Sequence, residues 1–212
     1  MLTLYYSPGA CSMASHIALE ETGAEYTPQP VLIPKGEHQS ADYLKNVNPR
    51  GKVPALRTDQ GVITENVAIL GYLARSFPEA RLLPVDDTIG LMRCVSHMAY
   101  LSNTLHPTFA RIVRPERIAK DEAAQNAVKE TARESFLGLL KEVDGIIDGN
   151  QWVMGSQYTA CDPYTLVFYG WGSRIGLPVK ELNNYTRFKD RMIERPAVRK
   201  VLEREQSPLQ QG

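Results

Sequence analysis

The sequence predicts an α/β unit followed by an all-helical unit, and three observations carry that reading. Strand-like and helix-like patterns alternate through residue 76. A stretch with two prolines and several charges follows at 77–87. Beyond it the strand signal disappears, and apolar residues recur at three- and four-residue spacing.

The elements follow in order. Leu2-Thr3-Leu4-Tyr5-Tyr6 reads as a strand, at 2–6, that stops at Ser7-Pro8-Gly9. A helix at 12–22 is closed by Gly23 in a left-handed cap position. A strand at 27–33, a short helix at 40–46 and strands at 53–57 and 61–63 come next, the last two joined by Asp59-Gln60-Gly61. A helix at 65–76 completes the unit. The boundaries are set at 1–78 for the first domain, 79–87 for a linker and 88–212 for the helical domain. There, Met92, Val95, Ala99, Ser102 and His106 mark one face of a helix at 91–107. Val128, Ala132, Phe136, Leu139, Leu140, Val143 and Ile147 mark a second. Thr159-Ala160-Cys161-Asp162 is a capping-box variant that opens another helix, with Tyr158 and Pro163 as its apolar staple. Pro196 separates a helix bearing Phe188, Met192 and Ile193 from one bearing Val198, Val201 and Leu202.

Bulk properties narrow the function. Lys plus Arg and Asp plus Glu each number 24 in 212 residues, and this balance argues against a nucleic-acid binder, which would carry a basic excess. No apolar run approaches the ~20 residues that span a bilayer, and the N-terminus has no secretory pattern. Three scattered cysteines, Cys11, Cys94 and Cys161, fit a reducing cytoplasm better than a disulfide framework. Cys94 and Cys161 read as buried small hydrophobes. The four histidines are too dispersed to suggest a zinc site, so no metal is expected.

Chemistry concentrates at the start of the chain. Cys11 stands at the mouth of a helix, where unpaired N–H groups and the helix dipole are expected to favour its thiolate. Cys11-Ser12-Met13-Ala14 lacks a second cysteine, so its redox partner would have to be an external thiol. Ser12 and Tyr6 offer hydroxyls that can lower a bound thiol's pKa by hydrogen bonding. A buried structural cysteine with an ordinary capping serine is the competing reading. Val53-Pro54 puts a proline at a strand entrance; a cis bond would free the Val53 backbone for a peptide-like ligand, and a trans edge proline is the alternative. Thr64-Glu65-Asn66 opens the next helix, where N–H groups hold a carboxylate and Glu65 can pair with an ammonium. His106, ahead of Pro107, ends an apolar stripe.

Together, Pro8-Gly9-Ala10-Cys11-Ser12, Asn48-Pro49 with Val53-Pro54, Thr64-Glu65 and the Thr159 to Asp162 cap resemble the bacterial beta-class glutathione S-transferases, over essentially the whole chain. The resemblance implies a thioredoxin-like N-terminal domain, a helical C-terminal domain and a homodimer. It implies that Cys11 lies against the sulfur of glutathione and that Val53, before a cis Pro54, pairs with the cysteinyl unit. Glu65 and Asn66 would hold the γ-glutamyl head, with Lys35 on the glycyl carboxylate and Lys52 beside it. His106 would lie near the thiol and the cleft for the second substrate. The sequence departs from the family on the helix at 91–107, where Ala99 stands for a frequent Asn, Thr104 for an acidic residue, Pro107 for Lys and Leu91 near a common Arg. Asn103 and Thr104 remain there as contacts to glutathione.

The leading expectation is a transferase that conjugates the glutathione thiolate to a small hydrophobic electrophile, with glutathione as co-substrate. One alternative makes Cys11 the nucleophile of a thiol-disulfide oxidoreductase or reductive dehalogenase. Another is a non-catalytic member of the fold that binds a ligand or a protein.

Overall fold

A computed structural model describes residues 1–211 of the chain. Strands β1 (Leu2–Tyr6), β2 (Tyr26–Pro30), β3 (Ala55–Thr58) and β4 (Gly61–Thr64) form one sheet in the order β2-β1-β3-β4. β1 runs parallel to β2 and antiparallel to β3, and β3 pairs antiparallel with β4. Helices α1 (Ser12–Glu21), α2 (Ala41–Asn46) and α3 (Asn66–Ser76) complete this thioredoxin-like unit. The remaining described residues contain helices α4 (Thr88–Tyr100), α5 (His106–Val113), α6 (Glu122–Ile147), α7 (Cys161–Arg174), α8 (Asn183–Glu194) and α9 (Pro196–Arg204).

β2 stops at Pro30, short of the expected residue 33, although the Val31 N–H still donates to the Tyr6 carbonyl at 2.7 Å. Residues 27, 29 and 31 turn their donors toward β1, so Pro28 and Pro30 lose only outward N–H groups. A strand blunted in this way makes a protected edge. β3 starts at Ala55, and Val53 and Pro54 fall in the loop before it.

The helix expected at 91–107 is longer and is interrupted. After α4 a π-helical turn spans Leu101–Leu105, and α5 then opens with Pro107 in its first turn. Proline has no N–H to give to the carbonyl four residues back, and a widened turn accommodates its ring. The buried stripe also differs from the expected one. Cys94, His97, Met98, Leu101 and Leu105 face inward, whereas Met92 is 50% exposed. Both stripes have helical spacing, and packing against α7 selects the one containing Cys94. There the Cys161 thiol donates to the Cys94 carbonyl at 3.5 Å and His97 Nε2 meets Thr165 Oγ1 at 3.0 Å.

The expected linker is anchored rather than loose. Leu82 and Leu83 are buried, and the Leu82 carbonyl accepts from the Ala160 N–H at 2.7 Å. Helix α1 is buried along Ser12 to Leu19 because it packs against β1 and α3 on one side and α7 and α9 on the other. Arg195 clamps Glu21 with two bonds, of 2.7 and 3.0 Å, and lies over the Tyr158 ring.

Asp162 secures the start of α7. Its buried carboxylate accepts from the Val153 N–H at 2.8 Å, the Thr159 N–H at 2.7 Å and the Thr159 hydroxyl at 3.2 Å. This is the carboxylate half of the expected capping box; the Thr159 hydroxyl in turn accepts from the Cys161 N–H at 3.3 Å. Asp162→Ala strands two buried N–H groups, and each such group costs about 1–3 kcal/mol. The variant is expected to lose about 3 kcal/mol of stability, read as a lower urea midpoint with an unchanged slope.

Candidate functional site

The site is built on the short loop between β1 and α1. Gly9 takes a left-handed φ of 69°, which turns the chain so that Cys11 becomes the N-terminal flanking residue of α1. The Gly9 peptide is gripped from both sides by the helical part of the chain. Its N–H donates to Glu205 Oε2 at 3.0 Å, and its carbonyl accepts from Trp171 Nε1 at 3.0 Å and Arg174 Nη1 at 3.3 Å. Glu205 Oε1 meets His16 Nδ1 at 2.7 Å, and both side chains are fully buried. Arg204 Nη1 lies 3.1 Å from His16 Nε2, and a guanidinium can only donate. His16 Nε2 therefore accepts from Arg204, and its Nδ1–H points at Glu205.

Cys11 is buried, and its thiol donates to the Val53 carbonyl at 3.5 Å. Burial first, and then the nearby Glu65 charge, push the thiol up to about 12. This outweighs hydrogen bonding and Lys52, which act in the opposite direction. The expectation of a helix-end thiolate is overturned, because removing the sulfur from water costs more than the helix end returns. Cys11 is a neutral thiol that can donate.

Other expected groups are committed elsewhere. Ser12 is fully buried, and its hydroxyl donates to the Ser7 carbonyl at 3.2 Å while accepting from the Ser7 N–H at 3.0 Å. It closes the loop rather than offering a free donor. Tyr6 packs against His16 with ring centres 4.5 Å apart and the rings tilted by 50°, and its phenol is raised by burial and then by Glu205. That places it with the His16 and Glu205 cluster. The Asn66 side chain accepts from the Ser15 hydroxyl at 2.6 Å and donates to the Cys11 carbonyl at 3.0 Å, tying α3 to α1. Its amide is largely spent, and its backbone N–H, the first of α3, remains as its natural anion donor.

Glu65 is exposed, with φ 70° and ψ 129°. A non-glycine residue at positive φ costs about 1–3 kcal/mol and tends to occur where function requires it. The Val53–Pro54 peptide is cis. The preceding Lys52 carbonyl is pinned by Tyr43 Oη and Asn48 Nδ2, each at 2.8 Å, while the Lys52 side chain is exposed. Lys52 lies within electrostatic reach of both Cys11 and His106. His106 packs edge-on against Trp171 with centres 5.0 Å apart, and burial followed by Lys52 lowers it to about 4. It is neutral at pH 7. Cys11, Lys52, Val53, Glu65, Asn66 and His106 thus converge. Lys35 lies exposed at the end of the turn Ile33–Lys35, and Asn103 and Thr104 lie on the π-turn, with Asn103 exposed and accepting from Ser102 Oγ at 3.2 Å.

Sequence reading offers Tyr164 and Trp171 as aromatics for the second-substrate cleft, with core packing as the main expectation for such side chains, and misses their contacts with Cys11 and Gly9. Tyr164 is buried and its phenol strongly raised, by burial first and then by Cys11. Trp171 stacks on Phe109 at 4.3 Å while its indole N–H reaches Gly9. Each looks like a core aromatic in an amphipathic helix, so no local signal marks these contacts.

A thioredoxin-like unit that presents a cysteine, a cis-proline loop and a helix N-terminus to one groove defines a glutathione-site architecture. The family description "Glutathione S-transferase, N-terminal domain" matches residues 1–75. The chain is 34% identical over 205 residues to glutathione S-transferase GstA of Escherichia coli O157:H7, covering 96% of this chain and 98% of that relative. Among solved structures, a glutathione transferase homologue from Sulfitobacter with bound glutathione has a TM-score of 0.90 and 33% identity, over 96% of this chain and 98% of that one. A bacterial beta-class glutathione S-transferase from Sphingomonas chungbukensis has a TM-score of 0.85 and 34% identity, over 96% and 98% of the two chains. The chain belongs to the glutathione S-transferase family.

A thiol pushed up to about 12 leaves fewer than about one Cys11 in ten thousand ionised at pH 7.5. Alkylation by iodoacetamide, followed by mass spectrometry, is expected to be slow at Cys11 and to accelerate about tenfold per pH unit up to pH 10. Rapid labelling that saturates near pH 7 is the contrary result.

Proposed function

We propose that the protein is a glutathione transferase that joins the glutathione sulfur to a small hydrophobic electrophile. The neutral, buried Cys11 thiol beside the Val53 carbonyl carries this reading. In that position a thiol stabilises a neighbouring thiolate by donating to it, and a hydrogen bond to a charged acceptor is worth more than one to a neutral group. The ionised sulfur of glutathione then attacks the electrophilic carbon. With an aryl chloride, a carbon–sulfur bond forms, the carbon–chlorine bond breaks and chloride departs. The glutathione proton goes to solvent.

In this reading residues 1–78 bind glutathione, 79–87 link, and 88–212 supply the electrophile cleft and dimer contacts. Val53 pairs its backbone with the cysteinyl unit, Glu65 takes the ammonium of the γ-glutamyl head and the Asn66 N–H takes its carboxylate. Lys35 and Lys52 attract the glycyl carboxylate, and Asn103 and Thr104 approach the tripeptide from the π-turn. Neutral His106 accepts a hydrogen bond at the cleft. Cytoplasmic detoxification of electrophiles suits three free cysteines. A homodimer suits the exposed apolar side chains of α4, where Ile89 is 63% and Met92 50% exposed. No helix among the described residues is long and apolar enough to cross a membrane.

Calorimetry should detect glutathione binding, and a panel of aryl halides and epoxides should be turned over; absence of both overturns the proposal. Cys11→Ala should retain conjugation at a rate about ten- to a hundredfold lower, the worth of one hydrogen bond to a thiolate, and should lose any glutathione disulfide exchange. A variant inactive in conjugation would instead make Cys11 the nucleophile. Ile89→Glu with Met92→Glu should convert a dimer to monomer in sedimentation.

A further inference from the structure

The far end of the chain returns to the loop that carries Cys11. Helix α9 is closed by Glu205, and Gln206 follows it with a left-handed φ of 52°, a backbone shape that side chains rarely adopt. The Ser207 N–H completes the turn by donating to the Leu202 carbonyl at 2.9 Å. Leu209, buried just beyond, rests on α7 where Gly170 leaves room for it; a Cβ on Gly170 would come within 3.1 Å of the Leu209 side chain. The turn and this contact fix the backbone from which Glu205 reaches α1 and the β1–α1 loop.

Two donors meet its buried carboxylate. Oε1 lies 2.7 Å from His16 Nδ1, and Oε2 accepts from the Gly9 N–H at 3.0 Å. Arg204, which also donates to the Tyr26 hydroxyl at 2.7 Å, takes the other ring nitrogen of His16 and so keeps the imidazole proton on the side of Glu205. A side chain held between two N–H groups must accept at both ends, which a carboxylate does and an amide cannot. Glycine is the residue freest to turn, so Gly9 is where an outside hold on the loop has most effect. Glu205 holds its N–H while Trp171 holds its carbonyl, and both dihedral angles of Gly9 are thereby set from the helical part of the chain.

We propose that Glu205 is a positioning residue for the Cys11 thiol: by holding the Gly9 N–H it fixes the turn that directs the sulfur at the Val53 carbonyl and at the glutathione sulfur bound beside it. Glu205 touches no substrate and acts only through the loop. What the positioned thiol does for glutathione rests on the transferase reading; where the thiol sits does not.

Glu205→Gln tests this, because glutamine has nearly the same size and its single carbonyl oxygen can satisfy only one of the two donors. With saturating glutathione and an aryl chloride, kcat should fall about tenfold while the KM for glutathione changes less than about twofold, since the contacts to the tripeptide lie elsewhere. In a Cys11→Ala background the same substitution should cost less than about twofold, because no thiol is left to position. An equal cost in both backgrounds overturns the proposal, and Glu205 then serves stability alone. Alkylation of Cys11 by iodoacetamide, followed by mass spectrometry, reads the thiol without turnover. In Glu205→Gln it should be at least about tenfold faster at about pH 8 than in the wild type, as the sulfur leaves its buried place by Val53 and regains an ordinary thiol's acidity. An unchanged alkylation rate overturns the proposal whatever the kinetics show. Should the wild type not conjugate, the transferase reading alone falls, and alkylation decides the position of the thiol. Circular dichroism checks folding. If Glu205→Gln does not fold, Glu205→Asp, whose oxygens still accept but are drawn back by one methylene, is read by the same measurements.

Discussion

The site depends on one peptide group. The N–H and C=O of Gly9 are both held by residues from the far end of the chain, Glu205 on one side and Trp171 with Arg174 on the other. A loop of this length between a strand and a helix would otherwise be free to reorient, and the sulfur of Cys11 would move with it. The helical part therefore supplies more than a cleft wall. It sets the position of the thiol, which turns the packing of α1 against α7 and α9 into a constraint on chemistry. The hydrogen bond between His16 and Glu205 holds that carboxylate in one orientation, aimed at the Gly9 N–H.

Around the thiol, polar groups divide into those that build the site and those that remain to bind. Ser12 and Asn66 use their side chains to join the loop, α1 and α3 into one rigid corner. In the proposed site, what remains for a ligand is mostly main chain, at Val53 and at the start of α3, together with the charges of Lys52 and Glu65. Such a surface suits a peptide ligand, since backbone donors are fixed in space and lose little entropy on binding. Burial leaves Cys11 protonated, and the proposed role uses that state: a thiol gives a hydrogen bond more readily than an electron pair.

The π-turn at Leu101–Leu105 shapes the other side. Pro107 forces the wider turn, and the helix resumes with His106 against Trp171. One backbone irregularity thus gives α5 its course along the groove.

The alternating pattern, the helical second half, the cap at Thr159 and Asp162, and Cys11 with Glu65 at helix starts were legible in the sequence because each is a local preference of a few adjacent residues. Hydrophobic periodicity found α6, yet it chose the wrong stripe on α4, since Met92 and Cys94 lie on equally regular apolar rows and only α7 decides which is covered. The helix dipole, a local effect, suggested an ionised Cys11; desolvation by the whole fold reversed it. Ser12, Tyr6 and Asn66 were named as binding groups from their chemistry, and tertiary partners claimed each of them. What the sequence alone determined is which residues could do chemistry and on which elements they sit. Only the tertiary structure decided which hydroxyls and amides were spent and which thiol stayed neutral, because those outcomes depend on contacts between residues as much as 196 positions apart.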